Sequence, residues 1–139
     1  MLIAKSGDYA LIHCCGCSKV VEARLTNGEE IYPHRRDLYG LPFWRCDDCG
    51  NYVGCHHKTK QRTKPMGSIP TPEIKEIRGM VHGIIDPVWR GGLKSRREVY
   101  RAMSEGLGYE YHTASISSAD EGRRAMDIAS QLFYALELA

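Results

Sequence analysis

Residues 14–49 open with Cys14-Cys15-Gly16-Cys17 and close with Cys46-Asp47-Asp48-Cys49. Two cysteine pairs, each with a two-residue gap, have the spacing that lets both sulfurs of a pair face one ion while the backbone between them turns. Cys15 leaves a second register open at the first pair, with Cys15 and Cys17 as the ligands; the two-residue gap favours Cys14 and Cys17. Four thiolates complete a tetrahedral Zn2+ shell and leave no position for water or substrate, so the expected metal is a scaffold and not a catalyst. The 28 residues between the pairs exceed the roughly 15–20 of the common four-cysteine spacing. Loop entropy grows slowly with length, so an inserted hairpin is compatible with a single site.

On the N-terminal side, Tyr9, Leu11 and Ile12 suit a short strand leading into the first pair, and Gly16 suits a tight turn. Beyond it, Val21, Ala23 and Leu25 alternate with Glu22 and Arg24, the period of a half-exposed strand. Asn27-Gly28 predicts a type I′ turn, with Glu29–Tyr32 returning as the paired strand. Residues 33–41 read as an irregular loop carrying His34, Arg35 and Arg36. Phe43 and Trp44 then lead as a strand into Cys46, and residues 52–57 form a last strand. The result is a zinc ribbon of short antiparallel strands over residues 1–64.

Pro65, Gly67, Pro70 and Pro72 punctuate residues 65–72, which read as a linker. A helical part follows over residues 73–139. Its first helix, 73–89, has Ile74, Ile77, Val81, Ile84 and Val88 as its apolar stripe, is disturbed by Pro87 and ends at Gly91-Gly92. Ser95-Arg96-Arg97-Glu98 is a capping box for a second helix, 96–107, with Val99, Ala102, Met103 and Leu107 facing inward. Ser118-Ala119-Asp120-Glu121 repeats the device for a third, 119–138, with Met126, Ala129, Leu132, Phe133 and Leu136 as its buried face. The expected fold class is therefore α+β.

The totals set the outer limits. A chain of 139 residues can bury an ordinary core. No stretch approaches the roughly 18 apolar residues of a membrane span, and Met1–Lys5 lacks the apolar run of a secretory signal. A cytoplasmic protein is expected, in which six cysteines serve metal binding and not a disulfide framework. The net charge of +2 does not make the molecule a polycation, but the charge is unevenly spread. Lys58, Lys60, Arg62 and Lys64 occur without an acid, and Arg90 to Arg101 holds five cations against Glu98 alone.

Taken together, the first cysteine pair, Trp44-Arg45-Cys46-Asp47-Asp48-Cys49, Tyr52-Val53-Gly54-Cys55-His56, Thr59, Pro65-Met66-Gly67, His82 with Asp86-Pro87-Val88-Trp89, Arg97, Tyr100 and His112 make the chain resemble a zinc-finger-containing domain family of small phage and bacterial proteins. The resemblance spans nearly the whole chain. It implies zinc at Cys14, Cys17, Cys46 and Cys49 and brings no reaction with it. Cys15 is a departure, since a proline is usual after the first cysteine of the family pattern.

Three functional readings follow. The leading one is a zinc-stabilised binding protein that meets the phosphates of DNA or RNA with Lys58, Lys60, Arg62 and Lys64, stacks bases on Trp44 or Tyr39, and extends the surface through Arg96 and Arg97. A second is a protein-interaction module docking a host or phage partner, with purely structural zinc. A third is a nuclease or thiol-dependent hydrolase using Cys55, His57 or His82. Cys55 and His57 share one side of a strand and suit either a nucleophile pair or a second metal site; the plainer reading packs Cys55 beneath the ribbon with the histidines facing solvent. Arg78, His82 and Asp86 share a helical face, suited to phosphate binding or to orienting a proton-transfer histidine; the plainer reading is a solvated face or an interface to the ribbon, with Asp86 holding the imidazole. No recognised catalytic motif accompanies them, and a four-cysteine zinc activates no water.

Overall fold

A computed structural model describes residues 7–138, with side chains described as far as Phe133. The chain forms two compact units, divided between Thr71 and Pro72.

The first unit is a four-stranded antiparallel sheet in the order β1 (Tyr9–Cys14), β2 (Lys19–Asn27), β3 (Pro42–Arg45), β4 (Tyr52–Gly54). β1 and β2 pair from Tyr9↔Arg24 to Cys14↔Lys19, so the first cysteine pair is itself the hairpin turn. The second pair lies in the turn between β3 and β4. In a meander, alternate turns fall at the same end of the sheet, and this is what brings four cysteines together from distant points of the chain. One face carries Ile12, Val21, Ala23, Leu25, Trp44 and Val53, which form a core with Cys14, Cys46, Cys55 and Ile69.

Two expectations about this unit need correction. Asn27-Gly28 does not turn a hairpin: the Asn27 side chain accepts from the Glu30 N–H and caps a single helical turn, α1 (Gly28–Ile31). Glu29–Tyr32 is therefore not a strand, and β2 takes β3 as its partner instead. Asparagine suits both a helix cap and a positive-φ turn, and the packing of Gly28 decides between them. A Cβ at Gly28 would lie 1.7 Å from the Leu38 carbonyl oxygen. Nor are residues 65–71 a linker. Ile69 is fully buried, its N–H donates to the His13 carbonyl and its carbonyl accepts from the Cys15 N–H, while Met66 N–H donates to Gly54 and Cys55 bridges to Pro65. Proline and glycine mark changes of direction, and here the chain turns back along the sheet and closes the core.

The second unit has three long helices, α2 (Pro72–Arg90), α3 (Arg96–Leu107) and α4 (Ala119–Leu138). α2 continues through Pro87 and ends as Gly91 N–H donates to the Pro87 carbonyl, with Gly92 at φ +78°. Its buried stripe is Ile74, Ile77, Val81, Ile85 and Val88, with Ile85 in place of Ile84. The capping box of α3 forms as read: Glu98 N–H donates to Ser95 Oγ, and Ser95 N–H donates to the Glu98 carboxylate. At α4 the Glu121 N–H donates to Ser118 Oγ, but the Glu121 carboxylate accepts from Ser117 and not from Ser118.

The buried face of α4 is Gly122, Ala125, Ala129 and Phe133, while Leu132 is 40% exposed and Met126 only partly covered. Leu136 lies outside the described side chains. The face falls on small residues because α2 and α4 approach closely: a Cβ at Gly122 would lie 2.3 Å from Ile77 Cγ2. No helix among the described residues is long and apolar enough to cross a membrane.

The contact at Gly28 makes a test. Gly28→Ala forces its methyl against a backbone carbonyl that cannot swing aside, and the expected loss is about 1–3 kcal/mol, measured as a lowered denaturation midpoint. An unchanged midpoint would show that α1 is not packed against residue 38 in this way.

Candidate metal centre

The last residue of β1 that points into the core is Cys14, two places after Ile12, so the pleat aims its sulfur inward and turns Cys15 away. Cys15 instead sits with its Sγ 3.6 Å from Ser68 Oγ, and its N–H is taken by Ile69. The register left open by sequence is thereby decided: Cys14, Cys17, Cys46 and Cys49 converge, with all four Sγ atoms within 4.8 Å of one another. Cys14 and Cys49 sulfurs are 3.5 Å apart, and Cys17 and Cys46 sulfurs 3.7 Å. Sulfurs bound about 2.3 Å from one tetrahedral ion stand roughly 3.8 Å apart. The cluster therefore has the dimensions of a closed four-thiolate metal site.

Each turn is shaped for this. Backbone N–H groups of Gly16 and Cys17 point to the Cys14 sulfur, and that of Asn51 to the Cys49 sulfur. The residue after each pair is left-handed, Ser18 at φ 56° and Gly50 at φ 81°. Gly16 is needed for space and not for a positive φ, since a Cβ there would lie 2.6 Å from Asn51 Nδ2. Burial pushes the Cys14 thiol up to about 12, and the hydrogen bond with Cys46 raises Cys17. At Cys49, burial works upward, but the Asn51 N–H and the three neighbouring thiols bring it below its ordinary value. The four sulfurs thus share protons that a dication would displace, and metal affinity falls as pH falls.

Sequence reasoning missed the support behind the second pair. Arg24 on β2 grips Asp47 with two hydrogen bonds of 2.9 Å and reaches Glu30 as well, while its cross-strand neighbour Arg45 holds the same carboxylate. Those guanidinium bonds hold Asp47, first from Arg24, below the usual carboxylate range. Asp47 follows Cys46 directly, so the pair of arginines fixes the turn between two of the sulfurs. Alternation along β2 marked Arg24 as outward-facing, but nothing local to it pointed to Asp47, 23 residues away.

The basic loop lies in the same unit. Residues 56–64 are closed by the Cys55–Pro65 bridge and by His56 N–H donating to Lys64, with an inner turn at Thr59. Lys58, Lys60 and Lys64 are exposed and enter no ion pair among the described residues. Arg62 has a different role from the one expected: its guanidinium donates to the Gly40 carbonyl at 2.8 Å and to His57, so it ties this loop to residues 33–41. Trp44 is 4% exposed and its indole donates to the Thr63 carbonyl at 2.6 Å. It is a core anchor for the loop, and stacking on a base is closed to it. The two residues before it on β3, Pro42 and Phe43, are buried as well.

The remaining candidates come apart. Cys55 is 1% exposed, and burial pushes its thiol up to about 11, so a reactive thiolate is disfavoured. His57 Nδ1 lies 3.3 Å from the Cys55 carbonyl, not its sulfur. Among the described residues no second group of three or more ligands converges. In the helical unit His82 Nδ1 sits 3.2 Å from Asp86, which also accepts from Trp89 Nε1 at 3.1 Å, so Asp86 orients the ring; Arg78 donates to the Ile116 carbonyl. Arg96 and Arg97 lie at the exposed start of α3.

Metal analysis is expected to count one tetrahedral ion per chain, lost in Cys17→Ser and in Cys46→Ser but kept in Cys15→Ser. Arg24→Ala should keep the ion and release it to a chelator about tenfold faster, the scale of outer-shell losses. Retention of the ion by Cys46→Ser and its loss from Cys15→Ser would overturn the assignment.

No curated protein and no solved structure matches the chain. A family model described as a zinc-finger-containing domain matches residues 10–131. With that match over most of its length and four sulfurs gathered at the dimensions of a metal ion, the chain belongs to the zinc-finger-containing domain family.

Proposed function

We propose that the protein is a zinc-stabilised nucleic-acid-binding protein, with Zn2+ held by Cys14, Cys17, Cys46 and Cys49 and with the loop of residues 56–64 as the contact. When bound, the ion supplies a cross-link between the two hairpins and no reaction, because the sulfurs fill its coordination shell. The observation that carries the reading is the ordered, acid-free loop: three exposed lysines that enter no ion pair among the described residues, on a backbone closed on itself and braced by Arg62 and Trp44. A disordered basic tail pays an ordering cost on binding that a pre-formed loop avoids. Lysines act as point charges toward phosphates and read no base, so sequence preference is expected to be weak.

The test is salt dependence. If the three lysines each displace a counterion, log K against log salt should fall with a slope of about −2 to −3. Changing Lys58, Lys60 and Lys64 to Glu should flatten most of that slope with the metal retained. Binding that stays level from low to physiological salt ends this reading.

A second reading has its own observation. Tyr9, Leu11 and Val20 are 62%, 73% and 59% exposed on the outer face of the β1–β2 hairpin, where Tyr9 and Leu11 follow one another along β1 and Val20, opposite His13, is diagonal to Leu11. Apolar side chains grouped on an open face suit a protein partner, of host or phage origin. A complex that survives nuclease and the lysine changes, but not Leu11→Glu, would establish it.

A further inference from the structure

The helical unit holds a second concentration of positive charge, at the corner where α2 ends and α3 begins. Arg90, Lys94, Arg96, Arg97 and Arg101 are all exposed there. The two acids beside them are engaged. Asp86 receives His82 and Trp89 Nε1 and stands 4.0 Å from Arg90, and Glu98 is turned onto the Ser95 N–H. Lys94, Arg97 and Arg101 enter no ion pair among the described residues, Glu105 included.

Aromatic rings order this charge. The Arg96 guanidinium lies 4.6 Å from the centre of the Tyr100 ring and 5.8 Å from that of Trp89, and Arg90 lies 5.2 Å over the same indole. Asp86 fixes the indole through its Nε1, and Tyr100 stacks on Tyr111, which is buried and bonded through its hydroxyl to Thr113. Trp89, Arg96, Tyr100 and Tyr111 therefore form a ladder rooted in the core. A guanidinium held by its faces against rings keeps its N–H edge available, and loses little further freedom when that edge meets a phosphate. A merely solvated charged face has no reason to build such a support.

We propose that the α2–α3 corner is a second nucleic-acid contact, in which Lys94, Arg97 and Arg101 meet backbone phosphates around an Arg96 guanidinium oriented by Trp89 and Tyr100. The inference rests on the nucleic-acid reading above and adds a second, separate contact in the other unit. Two contacts on one nucleic acid make the second encounter intramolecular, so the pair binds more tightly than either alone.

The experiment uses the full-length, metal-loaded protein and labelled mixed-sequence oligonucleotides, single-stranded and duplex, titrated across salt. Four proteins are compared: the parent, Arg97→Gln with Arg101→Gln, the Lys58, Lys60 and Lys64 to Glu variant, and the two sets combined. Circular dichroism and metal content check that each is folded. The arginine pair should lower the magnitude of the salt slope by roughly 1.5 to 2, with a further loss in the combined variant. Arg96→Lys keeps the charge and removes the planar stack, and should weaken binding several-fold at an unchanged slope. Should the arginine pair bind as the parent does while the lysine variant fails, the corner is overturned and the loop reading stands. Loss with the arginine pair alone upholds the corner and removes the loop. An oligonucleotide that the parent protein does not bind in either form overturns both.

Discussion

Four sulfurs crowded within 4.8 Å of one another are unfavourable neighbours as thiolates, and a shared dication is what makes that crowding stabilising. The rest of the first unit depends on this constraint. Its last two strands are short, four residues in β3 and three in β4, and a sheet of this size has a modest core. The core it does have is built around the sulfurs: Cys14 and Cys46 pack among Ile12, Val21, Trp44 and Ile69. Folding the sheet and gathering the ligands are thus the same event, as expected where no preformed site exists in the unfolded chain.

The meander also accounts for where charge is placed. Because β4 leaves the metal end and returns through residues 56–64, the basic loop hangs from a strand that the core already holds. Trp44 and Arg62 then turn the loop into a fixed shape. These two residues were expected at a nucleic-acid surface, and they brace the loop instead. In the helical unit the same division of labour recurs, with Trp89 and Tyr100 holding Arg96 in place while Lys94, Arg97 and Arg101 enter no ion pair among the described residues. In both units the aromatic rings order the charge.

The locally encoded features were legible in the chain. The cysteine spacing, the alternation of β2 and the capping box at Ser95 each depend on residues a few places apart, and each is found where it was read. α3 runs over Arg96–Leu107, from its Ser95 cap to a left-handed Gly108. The misreadings share a cause. Asn27-Gly28 has two local solutions, and the approach of Leu38 selects the helical one. Proline and glycine at 65–71 signal turning but not what the chain turns toward, and Ile69 is buried because it runs beside β1. On α4 the larger side chains drew the stripe, whereas the close approach of Ile77 buried the small ones.

The amino-acid sequence thus carries the metal-ligand set down to one ambiguous cysteine, the α+β division, the three long helices and the basic segments, since all of these follow from short-range spacing and composition. Long-range contacts settle the rest. They choose Cys14 over Cys15, join Arg24 to Asp47, bury Trp44 and Cys55, tie Arg62 to Gly40, and set the Arg96 guanidinium over the rings of Trp89 and Tyr100. Those outcomes depend on which side chains meet across the sheet or between helices, and the free energy of such a meeting belongs to the pair and its surroundings, not to any stretch of chain.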